Sequence, residues 1–241
     1  MKPFRAIIFD MDGVIVDSEP LHKEAFHAVL DDLGYGRDLA ALGLNFADYI
    51  GRSDFLLWQD FVARHHPSQT MEELVALKRN RVIAMIRAQR PLFNGLPELV
   101  AVLAPHWPLA IASGSERAVI DAVLAIDDLR RHFGVVVSAS EVTHGKPAPD
   151  IFLLAASQLG IAPADCVVIE DSKPGVAAGL AAGMQVLALT NTHPADELAQ
   201  AHHVARHYAE LRRLLLGGHQ AGSTQLWRAA GTAVRCRLSP G

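Results

Sequence analysis

Four short segments of this chain hold residues whose types and spacing could do chemistry. In Phe9-Asp10-Met11-Asp12-Gly13-Val14, two carboxylates sit two residues apart at the end of the apolar run Ala6–Phe9. Neighbouring acids repel one another unless a cation or substrate offsets them. The carboxyl end of a buried strand is also where open α/β sheets bind ligands. Gly13 permits a tight turn with close backbone approach, although Asp-Gly is an ordinary turn signal as well. In Ile111-Ala112-Ser113-Gly114-Ser115, small hydroxyl residues and free N–H groups follow another apolar run and suit phosphate oxygens. Plain helix capping accounts for that segment nearly as well.

In Gly145-Lys146-Pro147-Ala148-Pro149-Asp150, Lys146 is confined between glycine and proline, which suits a fixed point charge. Most lysines are simply solvated. In Val167-Val168-Ile169-Glu170-Asp171-Ser172, a buried strand ends on two adjacent acids facing the same edge as Asp10. Asp10, Asp12, Glu170 and Asp171 then form a hard oxygen cluster, suited to Mg²⁺ and poor for zinc. The twelve histidines show no zinc-like spacing. The pairs His65-His66 and His202-His203 read as surface or loop residues.

These segments need elements to hold them. Apolar runs at 6–9, 109–112, 135–137, 167–169 and 186–189 read as buried parallel strands. Helical patterns lie between most of them. Ser113 and Glu116 have capping-box spacing before a helix at 118–124, with Ser115 an equal candidate for the cap. Pro149 fits the first turn of a helix at 150–159, closed by Gly160. Pro174 and Gly183 bracket another at 175–182. Alternating strand and helix predicts a doubly wound α/β fold with a parallel, Rossmann-like sheet.

The rhythm breaks between Asp17 and Pro91, where only helical patterns occur. Apolar residues at Leu21, Ala25, Val29 and Leu33 mark a helix at 19–33. Ser53 could cap a second at 54–63. Thr70 and Glu73 have capping-box spacing before a third that runs to about Arg90. The stretch is too long for a loop and too poor in strands for the sheet. It reads as an all-helical insert at 18–90, which splits a catalytic core at 1–17 and 91–216.

Composition limits the function classes. Of 241 residues, half are hydrophobic and a fifth are charged, as in an ordinary soluble protein. The net charge of -4 comes with no basic stripe, which argues against nucleic acid. No run approaches membrane-spanning length, and the N-terminus lacks a secretory apolar region. The expected location is the cytoplasm. Cys166 and Cys236 have no framework spacing, and Cys166 reads as a small buried hydrophobe.

Taken in order, Asp-x-Asp-Gly at 10–13, Ser113, the lysine of Gly-Lys-Pro-x-Pro-Asp at 146, and Glu170-Asp171 resemble the haloacid dehalogenase superfamily. The likeness is to its phosphatases and phosphomutases with a helical cap after the first strand, and it covers roughly residues 5 to 215. It implies that Asp10 attacks phosphorus to form an aspartyl-phosphate. It implies that Asp12 protonates the leaving oxygen and then activates water. Mg²⁺ would be held by Asp10, the Asp12 backbone carbonyl and Asp171, with Glu170 nearby or acting through water. Ser113, Gly114 and Ser115 would form the phosphate-binding turn, with Lys146 sharing the phosphoryl oxygens. Family dehalogenases lack an acid at the position of Asp12, so an oxygen leaving group is favoured.

The family's cap sets specificity. His22 falls where β-phosphoglucomutases also carry a histidine, and Arg52 could reach a second anionic group. The alternatives are a helix-surface histidine and a loop arginine. No lysine in the helical stretch stands out as a counterpart of the one the mutases use. The expected protein is a phosphatase of a small phosphorylated metabolite, a sugar phosphate or a phosphoglycolate-like acid, acting as a monomer or weak oligomer. A β-phosphoglucomutase-like isomerase is the alternative. A non-enzymatic phosphate-ligand sensor is more remote, since a binder needs neither nucleophile nor acid/base.

The stretch 217–241 has three arginines, no acid and scattered Gly, Ser and Pro, the pattern of a poorly ordered tail. Deleting it is expected to leave turnover and melting temperature close to wild type. A clear fall in either, measured by steady-state assay and thermal melt, would show that it packs on the domain.

Overall fold

The computed structural model describes residues 1–45 and 54–217. Six parallel strands form one sheet: β1 (Ala6–Phe9), β2 (Leu109–Ser113), β3 (Phe133–Ser138), β4 (Cys166–Glu170), β5 (Gln185–Leu189) and β6 (His203–Ala205). Their spatial order is β3-β2-β1-β4-β5-β6. The chain therefore leaves β1 in one direction, builds β2 and β3, and returns to lay β4 on the other side of β1. That reversal opens a crevice at the carboxyl ends of β1, β2 and β4, the place where such sheets bind ligands. The expected strands at these positions are all present. β6 was not expected, because His203-Val204-Ala205 carries no apolar run. As a half-buried edge strand it needs only one neighbour, β5.

Alternate strand residues face opposite layers, as strand geometry requires. Ile7, Phe9, Leu109, Ile111, Val167 and Ile169 pack beneath α4 (Leu96–Leu103), α5 (Arg117–Leu124) and α8 (Tyr208–Gly217). Ala6, Ile8, Ala110, Ala112, Cys166 and Val168 pack against α6 (Asp150–Leu159) and α7 (Lys173–Ala181). The smaller side chains on this second face let α7 come close. A Cβ on Gly179 would stand 2.7 Å from a Val186 methyl carbon, so only glycine fits there. The Cys166 thiol is buried, as expected, and its pKa is pushed up to about 11 by burial.

Between β1 and α4 lie three helices: α1 (Glu19–Asp32), α2 (Asp54–His65) and α3 (Met71–Gln89). Thr70 and Glu73 form the expected capping box, each satisfying the other's backbone N–H. The helices share a small core of their own, with Phe26, Leu30, Trp58, Phe61 and Leu74 at its centre. α3 also reaches the main core. Its second half puts Val82 and Ile86 into the same cluster as the sheet, together with Leu21 and Ala25 of α1. Ser53 lies outside the described residues.

Some local expectations need correcting. Neither Ser113 nor Ser115 caps α5: Ser113 ends β2, and Glu116 occupies the cap position without a side-chain bond. Pro149 is the residue before α6, not in its first turn, while Gly160 closes that helix in the left-handed region at φ 68. Of the histidine pairs read as surface or loop residues, His66 and His202 are exposed loop residues as expected, while His65 lies in α2 and His203 in β6, both half-buried. His65 bonds the Leu42 carbonyl and packs on Tyr35 and Phe61, and His202 Nδ1 accepts the Val186 N–H.

Candidate active site

β1 and β4 deliver three carboxylates to one point below the crevice. Asp10, Glu170 and Asp171 are all buried, and each has a carboxylate oxygen within 4.8 Å of the others. Lys146 enters from the turn before α6, over the Phe152 ring, and its Nζ lies 2.6 Å from both Asp10 Oδ1 and Glu170 Oε1. Glu170 has no oxygen to spare. Its Oε2 accepts the Asp171 and Ser172 N–H groups and the Ser172 hydroxyl, at 2.9 Å each. Gly175 makes room for it, since a Cβ there would overlap the carboxylate at 1.7 Å.

One ammonium does not balance three buried acids. Burial pushes the Asp10 pKa from 3.8 to about 7; Lys146 pulls it down, while Glu170 and Asp12 push it up. Asp171 is raised for the same reasons, burial first, then Glu170 and Asp10. Burial alone would lower Lys146, but Asp10 and Glu170 outweigh it and keep the ammonium firmly protonated. Asp10 Oδ2 and Asp171 Oδ1 accept no hydrogen bond from the described residues. A hard divalent cation fits this donor set: it would take up those oxygens and offset the excess charge.

Asp12 faces elsewhere. Its Oδ2 accepts the hydroxyls of Ser113 (3.2 Å) and Ser115 (2.7 Å), and its Oδ1 accepts the Ser18 hydroxyl. The Ser113 hydroxyl in turn accepts the Ser115 N–H at 3.0 Å. Ser18 sits before α1 without capping it, its hydroxyl being spent on Asp12. Gly114 is exposed, with open space where a Cβ would go. The turn after β2 and the start of α1 therefore meet on one carboxylate.

His22 is not a surface residue: its Nε2 stands 3.9 Å from Asp12 Oδ1. Its other nitrogen, Nδ1, is 3.0 Å from the Nζ of Lys78, a lysine 1% exposed on α3. A lysine ammonium donating to Nδ1 would leave the ring proton on Nε2, toward Asp12. Lys78 is the residue that sequence reasoning missed. The signal was available: Leu74, Lys78, Val82 and Ile86 recur every fourth residue on the buried stripe of α3, and a lysine in such a stripe needs a partner. Arg52 lies outside the described residues. An open cleft of about 770 Å³ runs along α1, past Glu19, Pro20, Lys23 and His27, to Arg37 and Leu44.

The matches to known proteins agree with this geometry. Residues 4–183 match the family model described as haloacid dehalogenase-like hydrolase. The chain belongs to that family. It is 37% identical over 186 residues to the fructose-1-phosphate phosphatase YqaB of Escherichia coli K12, covering 76% of this chain and 95% of that one. It is 36% identical to hexitol phosphatase B of the same organism, covering 75% and 81% of the two chains. A crystal structure of β-phosphoglucomutase from Clostridium difficile superposes with a TM-score of 0.74 at 22% identity, over 89% of this chain and 96% of that one. That last likeness speaks to the fold, a Rossmann-like core with a helical cap. With these relatives, the haloacid dehalogenase-like chain is a phosphoric monoester hydrolase. No described helix is long and apolar enough to cross a membrane.

The raised Asp10 makes a prediction about pH. Between 3.8 and about 7 the folded, metal-free protein binds a proton that the unfolded chain releases. This site's contribution to stability therefore falls as pH rises through that window. Mg²⁺ competes with that proton. The rise in melting temperature on adding Mg²⁺ is expected to be larger at pH 8 than at pH 5, measured by differential scanning fluorimetry in chelator-stripped protein.

Proposed function

We propose that the chain is a cytoplasmic, Mg²⁺-dependent phosphatase of small phosphomonoesters, sugar phosphates or phosphoglycolate-like acids, working through an aspartyl-phosphate on Asp10. The observation that carries this reading is the division of labour between two aspartates two residues apart. Asp10 is buried against Lys146, and Asp12 is held separately by three serine hydroxyls. The names of the two phosphatase relatives support the substrate class.

In this reading a carboxylate oxygen of Asp10 attacks phosphorus, and the bond from phosphorus to the ester oxygen breaks. Asp12 gives its proton to that leaving oxygen. Asp12 then takes a proton from water, whose oxygen displaces Asp10 and releases inorganic phosphate. Lys146 screens the repulsion between Asp10 and the phosphoryl group. The Ser113 and Ser115 hydroxyls would turn from Asp12 to the phosphoryl oxygens, with exposed Gly114 between them. Mg²⁺ would be held by Asp10, the Asp12 carbonyl and Asp171, and when bound would supply Lewis-acid stabilisation of the transferring charge. Glu170, with both oxygens engaged, would anchor Lys146 and the start of α7 rather than bind the ion. Removing Lys146 would strand buried acids, a loss on the order of 3–5 kcal/mol. Asp10→Asn is therefore the cleaner test: it is near-isosteric and relieves repulsion. It is expected to keep the fold and lower kcat by about three orders of magnitude or more. A variant with a tenth of wild-type kcat would remove Asp10 as nucleophile, and full turnover in metal-stripped protein would remove Mg²⁺.

One observation favours the mutase reading: the line Lys78–His22–Asp12, which gives the acid/base a partner on the cap. A mutase must return the phosphoryl group to sugar and exclude water meanwhile. With β-glucose 1-phosphate primed by glucose 1,6-bisphosphate, inorganic phosphate is expected to appear faster than glucose 6-phosphate. Many isomerisations per phosphate released would reverse the assignment. Cleavage of a different phosphate ester alone would keep the phosphatase and change only the sugar.

A further inference from the structure

Beyond the four motif segments, a fifth stretch presses on the turn that carries the two aspartates. After β5 the chain runs Thr190-Asn191-Thr192-His193, and α8 follows with Tyr208 at its first position. The Asn191 side-chain amide donates to the Gly13 carbonyl at 2.8 Å and to the Tyr208 hydroxyl at 3.1 Å. Tyr208, buried, donates its hydroxyl to the Val14 carbonyl at 2.6 Å. The Thr192 hydroxyl donates to Asp171 Oδ2, and His193 Nδ1–H donates to the Asp171 backbone carbonyl at 3.1 Å. No backbone hydrogen bond of the sheet requires any of these side chains.

Two of their targets, the Gly13 and Val14 carbonyls, belong to a run of three successive peptide units held by hydrogen bonds. Gly13 N–H donates to the Val16 carbonyl at 2.9 Å. In a trans peptide the Asp12 carbonyl lies in the same plane as that N–H and points the opposite way. The next two units are pinned at both ends: Val14 and Ile15 N–H donate to the Met11 carbonyl, while Asn191 and Tyr208 hold the Gly13 and Val14 carbonyls. Rotating the Asp12 carbonyl would break this set together. Gly13, at φ +77, has no room to yield: a Cβ there would meet Asp171 Oδ2 at 1.8 Å and Thr192 Oγ1 at 2.7 Å.

We propose that Asn191, Thr192 and Tyr208 are positioning residues that fix the Asp12 carbonyl and the Asp171 carboxylate as one preformed seat for the divalent cation. Thr192 occupies Oδ2 of Asp171 and so presents Oδ1; Asn191 and Tyr208 set the carbonyl on the facing turn. The inference rests on the Mg²⁺ reading above and deepens it. Residues that orient a metal's ligands commonly change its affinity by about 10–100-fold when replaced.

The test is Mg²⁺ binding to the full chain by isothermal titration calorimetry, with substrate absent. Thr192→Val and Tyr208→Phe each delete one hydroxyl at nearly constant shape. Both are expected to raise the Mg²⁺ Kd about tenfold or more, with KM for the phosphate ester little changed at saturating Mg²⁺. Thr192→Ser, which keeps the hydroxyl, is expected to restore wild-type affinity. A purely structural role predicts lower melting temperatures with unchanged Kd. Variants binding Mg²⁺ within twofold of wild type, or Thr192→Ser weakened as much as Thr192→Val, would overturn the positioning role alone. Wild-type protein that binds no Mg²⁺ would overturn both it and the metal reading beneath it.

Discussion

The structure depends on one charged contact, the Lys146 ammonium held between Asp10 and Glu170. In water a pair of this kind would contribute little. Here Glu170 is fully buried and Asp10 nearly so, and desolvation makes each unpaired charge expensive. Much of the neighbouring sequence can be understood as accommodation of that pair. Gly175 leaves space for Glu170, and the Asp171 and Ser172 amides with the Ser172 hydroxyl complete its hydrogen bonds. Phe152 covers the lysine. The remaining imbalance, one cation against three acids, keeps the site ready for a ligand of positive charge.

The sheet order makes the contact possible. Asp10 follows β1, Glu170 ends β4, and these strands are hydrogen-bonded neighbours in register from Ala6 and Cys166 onward. Ser113 ends β2 on the other side of β1. Serine hydroxyls and acids from distant parts of the chain therefore arrive on adjacent rows without any loop having to reach. Asp12, three residues beyond the strand, is carried by the Gly13 turn out of the acid cluster and toward α1. Two like residues thereby acquire unlike surroundings, the condition for giving them unlike tasks.

The strands and the four motif segments could be read from the chain because each is local. An all-apolar run such as Ile7-Ile8 can only be buried, and an acid at its end can only sit on the rim. What escaped reading depended on contacts between distant residues. Lys78 looks like any helical lysine until α1 brings His22 across to it, 56 positions away in sequence. Asn191 and Tyr208 belong to no strand-end acid pattern, and their partners, Gly13 and Val14, are nearly two hundred residues earlier. β6 lacked an apolar run because an edge strand is covered on fewer sides. The serines at 113 and 115 had two plausible uses, capping or ligand contact; the fold excludes capping of α5 and puts both hydroxyls on Asp12.

The helical insert has its own hydrophobic centre around Trp58 and Phe61, separate from the clusters on either face of the sheet. In evolutionary terms this makes the upper part of the molecule an interchangeable module. Substitutions around Phe26, Leu57 or Leu74 can reshape its contours while the buried charges below are untouched. The seam is narrow: the first turns of α1 and the second half of α3, where Leu21, Ala25, Val82 and Ile86 join the sheet's own cluster. Drift confined above that seam leaves the buried charges and their hydrogen bonds in place.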